Sequence, residues 1–138
     1  MVRGFSNSLA RLPAGSLSDR IGRKKPMTFA FALLVATYLV LASTESPIIF
    51  GVALAMYGVG WGTRAVSEWA LLTDLVEPEI KTIAISYLSS VFGLGSTLGS
   101  IVAGVLAAAI PMPLVFLLAA GINLSAIPGI LAIKSEGD

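Results

Sequence analysis

The sequence has 138 residues, of which 56% are hydrophobic and 12% are charged, and its formal net charge is +1. Soluble domains carry about 25% charged residues, so a water-soluble globule of this composition would expose large apolar surfaces. Cysteine and histidine are absent, which excludes disulfide bonds, thiolate metal sites and the commonest general base, and we expect a membrane protein with no cofactor and no metal rather than an enzyme.

Long uncharged runs predict helices that cross a bilayer. A crossing needs about 20 apolar residues, and within lipid a helix pairs its own backbone groups. Residues 1–18 precede these runs and are too short and too polar to insert alone, so we interpret them as the end of a helix whose beginning is missing. Pro111 and Pro113 divide the last long run. The expected crossings are residues 26–44, 46–73, 82–110 and 114–133. The predicted fold class is an all-α, multi-pass transmembrane helix bundle.

The cations predict how these helices are oriented. Four of the nine cations lie within residues 20–25, and short loops rich in lysine and arginine face the cytoplasm. With this loop inside, the cation-free connection at Glu45 lies outside, and residues 74–81 and Lys134 return inside. We therefore expect this loop and the C-terminus on the cytoplasmic side of a plasma or inner membrane. The cations follow the ends of apolar runs rather than one polar face, so no nucleic-acid partner is expected.

Residues 15–25 read Gly-Ser-Leu-Ser-Asp-Arg-Ile-Gly-Arg-Lys-Lys. They resemble the signature loop of the major facilitator superfamily, Gly-x-x-x-Asp-Arg-x-Gly-Arg-Arg/Lys, which joins two neighbouring helices on the cytoplasmic side. Residues 57–62, 74–81 and 93–104 are similar to later stretches of that family, so the resemblance covers nearly the whole chain. It implies that residues 1–138 form part of a six-helix bundle, about half of a twelve-helix transporter.

The resemblance also implies a function. Residues 57–62 and 74–81 look more like the second half of the family, so we interpret the chain as the end of helix 8 through helix 12; the alternative is the end of helix 2 through helix 6. The implied activity is transport of a small solute by alternating access. The implied partners are the lipid bilayer, the solute and a missing or separately encoded other half. The alternatives are a non-transporting membrane interaction or scaffold protein and an inactive truncated remnant.

The signature loop is the candidate conformational gate. The positions that fit the family pattern are Gly15, Asp19, Arg20, Gly22, Arg23 and Lys24. A carboxylate at a helix end can face the positive N-terminus of a neighbouring helix, and an arginine can hold a carboxylate with two hydrogen bonds. In the family the loop is thought to stabilise the outward-facing state, and the resemblance implies that role here. The alternative is that its cations only anchor the topology.

Arg64 and Glu68 are the first candidates for a substrate or proton site. If the third helix continues to Thr73, the two residues lie four apart on one face. Charges at membrane depth are costly and are functional candidates by default. Arg64 is suited to an anionic substrate and Glu68 to a proton, since burial disfavours a charged carboxyl group. The alternative is an ion pair near the inner interface that reaches water.

Three further kinds of residue are candidates within the spans. Asn123 is expected to bond to another helix or to line a substrate path. Arg11 is expected to pair with a carboxylate of another helix or to reach water, and Trp61 and Trp69 are interface anchors or cavity walls. Small residues four apart let helix backbones approach in lipid, which predicts tight packing within the bundle, or alternatively a rocking seam. The glycines with this expected role are Gly58, Gly62, Gly95, Gly99 and Gly104.

Overall fold

The computed structural model is a bundle of α-helices, and it describes residues 2–132, with side chains described for residues 2–11 and 22–132. The helices are α1 (Val2–Ile21), α2 (Lys24–Ser43), α3 (Pro47–Leu75), α4 (Lys81–Ala109) and α5 (Met112–Ala132), and a 3-10 helix, Pro78–Ile80, precedes α4. In this part of the chain, α2 to α5 are long and apolar enough to cross a membrane. The predicted all-α fold is confirmed.

Glycine and proline mark the boundaries between helices. Gly22 separates α1 from α2 with a φ of +85°, a left-handed conformation that glycine adopts without steric cost. Pro47 begins α3, at the position where its missing N–H would have had no partner within the helix. Between α4 and α5, the backbone N–H of Leu114 donates to the carbonyl oxygen of Pro111 at 2.9 Å. The connections are therefore short, and successive helices run antiparallel.

α3 lies between α1 and α2 because it presents glycines on two opposite faces. A Cβ atom added to Gly58 would lie 2.5 Å from a backbone oxygen of α1, and one added to Gly62 would lie 2.7 Å from another. Gly60 is rotated about 200° from Gly58 around the helix axis and faces α2, where an added Cβ would lie 3.1 Å from the side chain of Leu34. The backbone of α3 thus approaches both neighbours closely.

A small apolar cluster ties α2, α3 and α5 together. Met27, Leu71 and Ile130 are buried against one another, and Phe31 packs on them. Lipid tails are as apolar as these side chains, so the contact is stabilised by close packing rather than by removal from water. α2 is therefore the helix that connects α5 to the rest of the bundle.

α4 lies beside the bundle, and none of its residues is buried by the described part of the chain. A Cβ atom added to Gly95, Gly99 or Gly104 would meet nothing within 4 Å there, so their expected packing inside the bundle is not seen in this chain. Hydroxyl groups along α4 donate to carbonyl oxygens one turn earlier; they belong to Ser86, Ser90, Thr97 and Ser100. These four hydroxyl groups can therefore face lipid or another helix with their donors satisfied.

Candidate functional site

Arg64 and Glu68 form an ion pair within the span of α3. The Nε of Arg64 donates to Oε2 of Glu68 at 3.1 Å, and the side chains are 17% and 28% exposed. With a rise of about 1.5 Å per residue, Arg64 lies roughly 16 Å along the axis from the end of α3 at Leu75. The pair thus occupies one helical turn that lies roughly 10–16 Å before the end of α3.

Three aromatic rings surround the guanidinium of Arg64. Its Cζ lies 4.6 Å from the ring centroid of Trp61, 5.4 Å from that of Phe31 and 5.9 Å from that of Phe92. A cation over an aromatic face gains about 0.5–1 kcal/mol at exposed sites and about 2 kcal/mol when desolvated. The rings come from α2, α3 and α4, so the guanidinium of Arg64 contacts one carboxylate and aromatic rings of three helices.

Four aromatic rings, those of Phe92, Trp61, Tyr57 and Tyr38, form a column across the bundle. Trp61 stacks on Tyr57 with centroids 5.9 Å apart, and Tyr57 meets Tyr38 edge-on at 5.9 Å. On the other side, the centroids of Trp61 and Phe92 are 6.0 Å apart. The Cζ of Arg3, which the charge pattern alone does not assign to either side of the membrane, lies 4.8 Å from the centroid of Tyr57. Two arginines of different helices thus contact one aromatic column.

A cavity of about 160 Å³ opens between α1, α3 and α4 beside the ion pair. Its charged and aromatic lining residues are Arg11, Trp61, Arg64, Glu68, Trp69 and Phe92. The two tryptophans are therefore cavity walls, one of the two roles expected for them. The Nε of Arg11 donates to Oδ1 of Asn7 at 3.0 Å. This partner is a neutral amide of the same helix, whereas the sequence predicted either a carboxylate of another helix or contact with water.

Asn123 belongs to a different part of the structure. It lies on α5, and its Nδ2 donates to the carbonyl oxygen of Ala119 at 2.9 Å. The expected hydrogen bond to another helix is therefore not the one observed, because the short amide side chain reaches the carbonyl one turn earlier in its own helix. The described lining of the cavity does not include Asn123.

The signature loop forms the turn between α1 and α2. Gly15, Asp19 and Arg20 lie in residues 12–21, whose side chains are outside the described residues. Gly22 and Arg23 make the turn, and Lys24 begins α2. This part of the candidate gate is therefore a two-residue connection between long helices.

Arg23 connects this turn to the far end of α3. Its Nε donates to Oδ2 of Asp74 at 2.9 Å, with side chains that are 24% and 51% exposed. The sequence did not predict this partner, because the two residues are 51 positions apart. The sequence did contain one clue to this contact, because Asp74 ends an expected span on the same side of the membrane as the signature loop. The contact couples the loop to the connection between α3 and α4.

Known proteins resemble this chain over most of its length. A family model described as the Major Facilitator Superfamily matches residues 1–136. Inner membrane transport protein YajR of Escherichia coli (strain K12) is 32% identical over 93 residues, which are 67% of this chain and 20% of that protein. Solute carrier family 67 member A1 of Homo sapiens is 33% identical over 99 residues, 69% of this chain and 23% of that protein. No solved structure matches the chain.

A further relative leads to the same family. Multidrug resistance protein MdtL of Shewanella sp. (strain ANA-3) is 33% identical over 105 residues, 75% of this chain and 26% of that protein. The chain thus spans only about a quarter of the length of the curated relatives it matches, as expected of part of a larger transporter fold. Together with the four candidate spans, these matches confirm the resemblance and make the chain a multi-pass membrane protein. The chain belongs to the Major Facilitator Superfamily.

Proposed function

We propose that this chain is part of a secondary transporter that moves a small solute by alternating access, and that the cavity between α1, α3 and α4 lies on the solute path. The observation that supports this best is the Arg64–Glu68 pair. Charges at membrane depth are costly, and in transporters they mark substrate and ion pathways. Arg64 would contact the solute and Glu68 would exchange a proton. The remaining walls of the path would come from a partner half, missing here or separately encoded.

The signature loop would act as the inner gate. The ion pair between Arg23 and Asp74 joins the α1–α2 turn to the end of α3, and a contact of this kind is modest in energy because both side chains are partly exposed. Such a contact can break and re-form in each cycle. Asp19 and Arg20 fit the same family pattern and would belong to this gate, in which a carboxylate can face the N-terminus of a neighbouring helix.

We further propose that the signature loop and the C-terminus face the cytoplasm. The chain has no native cysteine, so single cysteines can report on each side. Lys25→Cys is expected to react with a membrane-impermeant maleimide only from the cytoplasmic face of membrane vesicles, and Glu45→Cys only from the outer face. Reaction of Lys25→Cys with the maleimide from outside intact cells would show that the opposite orientation is correct.

The transport proposal is tested by flux in membrane vesicles from cells that produce this chain with its natural partners. Vesicles are screened with labelled carboxylates, sugars and amines, and the solute that accumulates is used for the variants. Glu68→Gln and Arg64→Gln are expected to lower flux at least tenfold with unchanged amounts of protein in the membrane, because they remove the groups proposed to exchange a proton and to contact the solute.

The matched control is Glu77→Gln, which removes an exposed carboxylate in the connection between α3 and α4 and should retain full flux. Flux that is equal in the unchanged chain, Arg64→Gln and Glu68→Gln would contradict the proposal.

The uncovered surface of α4 supports the alternative of an interaction protein. In that case Gly95→Leu would disrupt assembly, and Arg64→Gln would change nothing measurable.

A further inference from the structure

The cavity beside the ion pair carries more positive than negative charge. Its described lining contains two arginines and one carboxylate. Glu68 is engaged by Arg64 at 3.1 Å, whereas Arg11 has its described hydrogen bond with the uncharged amide of Asn7. One guanidinium at this site is therefore not matched by an acid among the described side chains. Arg11 is exposed in the described structure, and an anion that enters the cavity would pair with it.

The walls of the cavity favour a flat, apolar body on that anion. Trp61, Trp69 and Phe92 line it together with Leu88, and aromatic rings pack in offset or edge-on arrangements with other rings. Its volume of about 160 Å³ is below the roughly 300–1,000 Å³ of pockets for drug-sized ligands. The occupant is therefore small.

An organic cation fits this site less well. The faces of Trp61 and Phe92 that a cation would use already lie over the guanidinium of Arg64, at 4.6 Å and 5.9 Å. The carboxylate that would attract it, Glu68, is already paired. A second cation would also be repelled by Arg11, which lines the same space.

We propose that this cavity binds a small aromatic carboxylate, an inference that rests on the solute path proposed above. The carboxylate group would accept hydrogen bonds from the guanidinium groups of Arg11 and Arg64, a pairing that arginine can make with two parallel bonds. The ring of the solute would lie against the indole of Trp69 and the edge of the indole of Trp61. Arg11 thereby becomes a specificity-determining residue contributed by α1.

The chain carries its own reporter for this binding. It has two tryptophans, Trp61 and Trp69, and both line the cavity, so intrinsic tryptophan fluorescence reports on this site alone. The purified chain in lipid nanodiscs is titrated with 4-nitrobenzoate, which quenches indole fluorescence. The neutral 4-nitrobenzamide, of nearly the same shape, is the matched probe. Because the neutral probe enters lipid more readily, non-specific quenching would be stronger with the amide.

The expected result is saturable quenching by nitrobenzoate with an apparent Kd at least tenfold lower than that of nitrobenzamide. Arg11→Gln is expected to raise the nitrobenzoate Kd about tenfold, and Arg11→Lys, which keeps the charge, less than that. Lys81→Gln removes a cation at the start of α4, outside the cavity, and should leave the Kd unchanged. Circular dichroism checks that each variant keeps its helices.

Equal quenching by both probes, or an unchanged Kd in Arg11→Gln with helices intact, would overturn the assignment of an anion. Inorganic phosphate that competes as well as benzoate would show that the site recognises charge alone. This result would overturn the proposal that the ligand is aromatic. Binding is measured at equilibrium and needs no flux. Nitrobenzoate binding without any flux in vesicles would support the anion site and contradict the transport proposal. Flux without nitrobenzoate binding would contradict the anion site and support the transport proposal.

Discussion

Gly58→Ala is expected to destabilise the chain by about 1–3 kcal/mol, the usual cost of overpacking, and Gly62→Ala by a similar amount. The new Cβ of Gly58→Ala would lie 2.5 Å from the backbone oxygen of Arg3, and that of Gly62→Ala would lie 2.7 Å from the backbone oxygen of Asn7. Backbone atoms cannot rotate away as a side chain can, so α1 and α3 must separate. The measurement is loss of tryptophan fluorescence and helical circular dichroism as dodecyl sulfate is added to the detergent-solubilised chain.

The same helix offers matched controls for this result. An added Cβ on Gly51 meets nothing within 4 Å in the described structure, so Gly51→Ala should be neutral or stabilising by up to about 1 kcal/mol through helix propensity. Gly60→Ala should fall between the two, because its neighbour at 3.1 Å is the flexible side chain of Leu34. Equal unfolding of Gly58→Ala and Gly51→Ala would show that the α1–α3 contact tolerates a wider separation.

Asp74→Asn is expected to loosen the contact between the α1–α2 turn and the end of α3, with little effect on the stability of the chain. Partly exposed ion pairs contribute about 0.2–1 kcal/mol, and a change of about 1 kcal/mol corresponds to a roughly fivefold change in an equilibrium. We therefore expect the maleimide reaction of Val76→Cys, beside Asp74, to accelerate up to about fivefold. Arg23→Gln should have the same direction of effect, since the contact of 2.9 Å is lost from either side.

A charge exchange distinguishes a specific pair from a general charge effect. Arg23→Asp combined with Asp74→Arg should bring the labelling rate of Val76→Cys back toward that of the unchanged pair. Lys25→Gln removes an exposed cation from the same loop and should leave the rate unchanged. Additive effects of the single exchanges, with no recovery in the double exchange, would remove the Arg23–Asp74 contact from the gate.

The spans and the Arg64–Glu68 pair are the features that sequence reasoning reached, and both depend on local physics. A run without charges has few alternatives to crossing lipid as a helix. Residues four apart on a helix share a face whatever the rest of the chain does. Which helices pack against each other could not be predicted in this way, because nothing in the pattern of residues indicates that α2 lies against both α3 and α5.

The glycine pairs show why tertiary contacts were harder to predict. Gly58 and Gly62 have the same spacing as Gly95 and Gly99, yet the first pair contacts α1 and the second contacts nothing in the described structure. Spacing gives the shape of a helix surface but not the presence of a neighbour. For Asn123 the pattern did not indicate the local partner, a carbonyl oxygen of its own helix, which lies within reach of its side chain.

The two glycine faces of α3 have a consequence for how the chain can move. A shift of α3 by one turn along α1 would put Leu54 or Val66 where Gly58 and Gly62 now lie, and a rotation about its own axis would bring Trp61 into the same narrow gap. Neither sliding nor spinning of α3 against α1 is sterically open, so these two helices move together, while the ion pair between Arg23 and Asp74 at the end of α3 can still break. Any displacement of α4 relative to α1 and α3 is then set by how the two short segments at its ends, residues 76–80 and 110–111, bend.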